Sequence, residues 1–126
     1  MAPDAIHTAV HVRDLDAMLD FYVEGVGLTK TRSFTFRGVE NHYVGGDHGE
    51  IQFKYDPERS DPVEHGTGLD HLAVGVEDVD EAFASLVDSH DPTVEEAPMT
   101  VEPAGDARVA FVRDPEGYVC ELVETG

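Results

Sequence analysis

Apolar and polar positions alternate from the start of the chain: Thr8, Val10 and Val12 interleave with His7, Ala9 and His11. That two-residue period belongs to a strand with one buried face. Asp14 follows as a helix N-cap, and Leu15, Met18, Leu19 and Tyr22 recur at one-face helical spacing until Gly25 and Gly27 end the helix. Strand-like runs then occupy 31–36, 39–44 and 50–55, punctuated by Gly38 and by Gly45-Gly46-Asp47. A second round follows the same plan. Leu72, Val74 and Val76 mark one strand face, Asp78-Val79-Asp80-Glu81 has the form of a capping box, and Val79, Ala82, Phe83 and Leu86 make an apolar helical stripe. Runs at 93–96, 108–112 and 118–123 complete it, with Asp114-Pro115-Glu116-Gly117 as a turn.

The repetition extends to individual residues. The stretch from His7 to Asp16 aligns with that from His71 to Asp80 at a constant offset of 64. Self-similarity of this kind constrains architecture before any single motif is read. It predicts one α+β domain over 1–126, made of two tandem βαβββ modules that form a cupped, mostly antiparallel sheet. Repeat one covers about 5–56, a linker rich in Pro, Gly and charge about 57–69, and repeat two about 70–124.

Strand parity then assigns faces. If Val10 and Val12 pack on their helix, His7, Ala9 and His11 face the other way, as do His71 and Ala73 in the second copy. Ile51, Phe53 and Tyr55 form the apolar face of their strand, leaving Gln52, Lys54 and Asp56 opposite. Tyr118, Cys120 and Leu122 face the second helix, so Glu121 emerges between Val119 and Val123, where a carboxylate needs a partner. His7, Gln52, His71 and Glu121 thus converge by pattern. Two imidazoles, an amide oxygen and a carboxylate suit a divalent transition metal without selecting among Ni, Co, Mn, Fe(II) and Zn. The alternatives are plain: Gln52 as a hydrogen-bond partner of a neighbour, and Glu121 as an ion-pair partner of Lys54 or Arg37. His11, Lys54, Asp56 and Arg37 are candidates to line a substrate cavity. His42, His48, His65 and His90 lie in turn-like or polar contexts and are expected to be solvated.

Composition narrows the partners. Asp and Glu total 27 against 8 Lys and Arg, a formal net charge of -19. A field of that sign repels nucleic acid and anionic membranes. The acids are scattered as a solvated skin, and only Lys30 and Lys54 are lysines, a composition expected of a protein adapted to high salt. Cys120 is the only cysteine, so no internal disulfide forms, and its face makes it a small buried apolar residue. With no signal-peptide pattern and no apolar run near the ~18 residues of a membrane span, a soluble, cytoplasmic protein is expected.

The two repeats, the openings His7-Thr8-Ala9-Val10 and Asp70-His71-Leu72-Ala73-Val74, and the closing ARVAFVRDPEGYVCELVE over 107–124 resemble the vicinal oxygen chelate superfamily, the glyoxalase/bleomycin resistance/dioxygenase group, and within it glyoxalase I. The resemblance covers essentially the whole chain. It implies metal ligands at His7, Gln52, His71 and Glu121. The metal would act as a Lewis acid toward two adjacent substrate oxygens, with Glu121 taking a proton from carbon and returning it. It also implies a small carbonyl or thiol-adduct substrate and a homodimer with sites at the subunit interface.

Two departures qualify this picture. Small bacterial glyoxalase I enzymes carry Glu where this chain has Gln52; a His/Gln/His/Glu set resembles methylmalonyl-CoA epimerase, although Glu40 is no clean match for that enzyme's second glutamate. Glutathione-using relatives carry Arg and Asn where this chain has His11 and Asp56, so a cation that would grip a glutathione carboxylate is missing. The leading expectation is a metal-dependent lyase or isomerase of the lactoyl-thiol type. The alternatives are an acyl-CoA epimerase, an Fe(II) dioxygenase using His7, His71 and Glu121, and a non-catalytic drug-binding resistance protein.

Overall fold

Burial follows the predicted parity at Val10, Val12, Leu72, Val74, Cys120 and Leu122, whereas Thr8 is exposed and Gln52 is buried along with Ile51 and Phe53. In a computed structural model describing residues 2–125, the chain divides into two units between Glu64 and His65. The first contains β1 (His7–Val12), α1 (Leu15–Leu19), β2 (Thr29–Phe36), β3 (Val39–Gly45) and β4 (Glu50–Tyr55). Its four strands run in the order β1-β4-β3-β2, parallel between β1 and β4 and antiparallel elsewhere. The second contains β5 (Leu72–Val76), α2 (Val79–His90), β6 (Val94–Val101), β7 (Ala107–Arg113) and β8 (Val119–Glu124). The order β5-β8-β7-β6 repeats the first sheet, again with one parallel pair. The architecture is two βαβββ modules, each with its own four-stranded mixed sheet. Between Tyr55 and Leu72 the chain forms no helix or strand.

Each core lies between helix and sheet. In the first unit Val10, Val12, Met18, Phe21, Tyr22, Val44 and Phe53 are buried, and the Tyr22 and Phe53 rings sit 5.6 Å apart. In the second, Leu72, Val74, Val79, Leu86, Ala110, Val112, Cys120 and Leu122 are buried. Asp14 and Asp78 cap their helices, accepting from Ala17 N and Glu81 N at 3.1 and 3.0 Å.

Several boundaries differ from the pattern. Gly25 does not end the first helix. It lies inside a π-helical turn, Asp20–Val26, that continues α1, and the end comes at Gly27 (φ 100°), where Gly27 N and Leu28 N both donate to Tyr22 O. Only Gly27 takes the left-handed conformation that closes a helix cheaply. The wider turn buries Phe21 while Leu15 and Leu19 remain half-buried. Strand β6 extends to Val101, well beyond the predicted 93–96, because register shifts on either side of Glu96 break its period. Pro98, lacking an N–H, falls within the second shift, where a ladder tolerates it. A single 3-10 turn, Glu102–Ala104, was not foreseen.

Among the described residues, no helix is long and apolar enough to cross a membrane. Most acidic side chains lie at the surface, where mutual repulsion opposes folding and is screened over about 10 Å at 0.1 M salt and about 3 Å at 1 M. Raising KCl from about 0.1 M to about 1 M is therefore expected to raise the melting temperature followed by circular dichroism. An unchanged or lower midpoint would show that self-repulsion is not a significant term.

Candidate metal and substrate site

In the second unit, parallel pairing of β5 with β8 sets Leu72 beside Cys120 and Ala73 beside Glu121. Cys120 and Leu122 are buried, so Glu121 is turned to the other face, half-buried with Val119 and Val123. His71, just before β5, places Nε2 3.1 Å from Glu121 Oε1, and its Nδ1 lies 2.7 Å from Asp70 Oδ2. Two ligands of one ion, each about 2.1 Å from it at a right angle, stand roughly 3 Å apart. The spacing fits a shared cation, and a carboxylate on the far imidazole nitrogen is the usual support of a ligating histidine. Without an ion the same contact is an ordinary His–Glu hydrogen bond. Phe111, opposite Glu121 on β7, meets the His71 ring at 5.7 Å and 89°.

The Asp114-Pro115-Glu116-Gly117 turn delivers β8 to this position. The buried Asp114 carboxylate accepts from Glu116 N and Tyr118 N, both at 3.0 Å, and Asp114 N donates to Tyr118 O at 2.9 Å. Gly117 takes φ 90°. The motif is therefore structural: it starts the strand two residues before Glu121.

In the first unit the register His7–Glu50, Ala9–Gln52, His11–Lys54 puts His7 and Gln52 on one face. Across β4, Tyr43 stands opposite Gln52 and Asn41 opposite Lys54. Gln52 is only 7% exposed, and its Nε2 donates to Asn41 Oδ1 at 2.8 Å. Lys54 Nζ donates to the same oxygen at 2.9 Å. The His7 ring meets Tyr43 at 5.6 Å and 85°. Thus each unit sets a histidine against an aromatic ring that faces the second candidate ligand across a strand pair. Arg32 lies 3.9 Å over the Tyr43 ring and pairs with Glu50. The Thr31 hydroxyl, and then the hydrogen bond and charge of Arg32, hold the Glu50 carboxyl below its ordinary range.

The remaining candidates fall elsewhere or serve the turns. Lys54 and His11 share the Gln52 face. Asp56 does not line that face as expected: its carboxylate accepts from Glu58 N at 3.0 Å and closes the turn after β4. Arg37 sits with Gly38 in the two-residue loop between β2 and β3, both at positive φ, at the end of the sheet away from His7. The expectation of solvated histidines fails for His42, half-buried with Nε2 3.0 Å from Glu40, whereas His65 is exposed as expected, edge-on to Tyr118 and bonded to Glu116 O. His90 bonds Ser89. Asp78, Asp80 and Glu124 cluster at the start of α2, but Glu124 accepts from Val79 N, Asp78 caps the helix and Arg108 clamps Asp80.

Sequence reasoning missed Asn41, Tyr43, Asp70 and Phe111. Asp70 adjoins a named histidine and was legible as a carboxylate beside an imidazole. The other three are set by cross-strand register, which one sequence does not reveal.

Each unit presents an imidazole with an oxygen donor, Gln52 in the first and Glu121 in the second, donor types suited to a divalent cation. Replacing Asp114 by Ala should cost about 1–3 kcal/mol, because two backbone N–H groups lose a buried acceptor; urea unfolding measures it. A change below about 0.5 kcal/mol would contradict the structural role given to this turn.

A family model described as Glyoxalase/Bleomycin resistance protein/Dioxygenase superfamily matches residues 5–122. A lactoylglutathione lyase of Haemophilus influenzae is 31% identical over 128 residues, covering 94% of this chain and 90% of the relative. Glyoxalase I of Zea mays superposes with a TM-score of 0.85 at 24% identity over 98% of this chain, which spans 45% of the maize chain. The trypanothione-dependent glyoxalase I of Leishmania major gives a TM-score of 0.76 at 27% identity, covering 98% of this chain and 87% of that one.

Proposed function

Since the chain belongs to the glyoxalase/bleomycin resistance protein/dioxygenase superfamily, we propose that it is a metal-dependent lyase of the glyoxalase I type, acting on the adduct of a small 2-oxoaldehyde with a thiol. The observation that carries this reading is the His71–Glu121 pair, 3.1 Å apart and supported from behind by Asp70. His7, Gln52, His71 and Glu121 would hold a divalent cation, whose Lewis acidity favours loss of a proton beside a carbonyl. Glu121 is the base. It takes the proton from the carbon bearing sulfur and returns it to the neighbouring carbon, so the conversion is redox-neutral and needs no other reactant. Val119, Val123 and Phe111 flank Glu121 and limit water around it.

The thiol need not be glutathione, because His11 and Asp56 supply no permanently charged cation, such as a guanidinium, for a carboxylate. A homodimer is part of the proposal. It is supported by β2, a sheet-edge strand that leaves Phe34 46% and Phe36 59% exposed. A reducing, cytoplasmic setting suits the single buried Cys120.

Protein loaded with Ni, Co or Zn should bind about one ion per chain and convert methylglyoxal with at least one of a panel of thiols. Absence of turnover with every thiol and metal would overturn the activity; absence of metal uptake would overturn the site. At saturating metal, Glu121→Gln should lower kcat by at least about a hundredfold. Asp70→Ala should weaken metal binding by about tenfold, the low end for such support because Asp70 is 94% exposed.

A second reading, an acyl-CoA epimerase using the same proton transfer, is favoured by the neutral amide at Gln52. Solvent deuterium appearing at the α-carbon of methylmalonyl-CoA would support it over the lyase.

A further inference from the structure

We propose that Asn41 and Lys54 are positioning residues that lock the Gln52 side chain with Oε1, and not Nε2, available to the cation. The inference rests on the metal reading above and adds the reason an amide can serve as a reliable ligand at this position.

The argument starts from Lys54. An ammonium has three donors and no acceptor, so the Asn41 atom 2.9 Å from Lys54 Nζ is the oxygen. The other end agrees, because Asn41 Nδ2 donates to the Val39 carbonyl at 3.1 Å and a carbonyl can only accept. With both ends of Asn41 fixed, the Gln52 atom 2.8 Å from its Oδ1 has to be the amide NH2. Oε1 is the atom that remains. Only that oxygen can bind a metal ion, since the amide nitrogen's lone pair is delocalised into its carbonyl.

Reversal is costly. A flipped Gln52 would face one carbonyl oxygen with another where Asn41 is 2% and Gln52 7% exposed, leaving no room for water to relieve the clash. A carboxylate at position 52 would need no such control, because its two oxygens are equivalent. The chain from Lys54 through Asn41 therefore answers a requirement specific to glutamine.

Competition with a chromophoric chelator for Ni2+ tests this in four proteins: wild type, Asn41→Leu, Gln52→Glu and the double variant. Asn41→Leu should weaken Ni2+ binding by about tenfold or more in the wild-type background. With Glu at position 52 the same change should shift affinity by no more than about threefold, since either oxygen serves. Equal losses in both backgrounds would assign Asn41 a packing role, and no loss in the wild-type background would remove it from the site; either result overturns the proposal. Wild-type protein that takes up no Ni2+ defeats the metal reading itself, and this proposal with it, before any variant is compared. If Asn41→Leu does not fold, the wild type decides by NMR. The Gln52 amide protons should exchange with solvent more slowly than those of an exposed side-chain amide, and equally fast exchange would overturn the lock.

Discussion

Everything at the candidate site depends on the parallel pairing of a histidine-bearing strand with a strand carrying a second donor, in a sheet with one face committed to a helix. β1 and β4 pair this way in one unit, β5 and β8 in the other. Phe53, Cys120 and Leu122 are each about 1% exposed or less, and fully burying a large aliphatic or aromatic side chain is worth about 1.5–3 kcal/mol. A slip of one residue in β8 would turn Glu121 under α2 and expose Cys120 and Leu122. The position of Glu121 is thus enforced by residues with no part in the chemistry, and the same holds for Gln52 between Ile51 and Phe53.

The aromatic neighbours add a second constraint. Tyr43 and Phe111 meet His7 and His71 near the perpendicular, at 85° and 89°. Such a contact fixes the plane of an imidazole without occupying either nitrogen. A hydrogen-bonding residue in the same place would compete for the nitrogen that a ligand must keep free. For His71 the result is complete: one nitrogen meets Asp70, the other Glu121, and the ring stands perpendicular to Phe111.

What was legible in the sequence follows from this division. Faces were readable because parity is local: Val10 and Val12 buried implies His7 turned away, and the buried Cys120 implies Glu121 turned away. The duplication was readable from the His7 and His71 stretches. Partners across strands were not, so Asn41, Tyr43 and Phe111 went unseen, and Arg37 and Asp56 were given to a cavity when turn geometry claims both. The end of the first helix was misread because Gly25 and Gly27 look alike in a sequence. Only the backbone shows which of them turns left-handed.

Under the proposed reading, the amide at Gln52 also fixes the charge of the site. Of four ligands only Glu121 is anionic, so a divalent cation keeps a net positive charge toward the substrate, where a second carboxylate would have cancelled it. That surplus strengthens attraction for oxygen bearing developing negative charge. It also leaves a single carboxylate to manage the proton, and Glu121 must then both remove and return it. The overall charge of -19 does not oppose this arrangement. Distant surface acids are screened beyond about 10 Å at moderate salt, whereas Lys54 acts on Gln52 through one shared oxygen at hydrogen-bond distance.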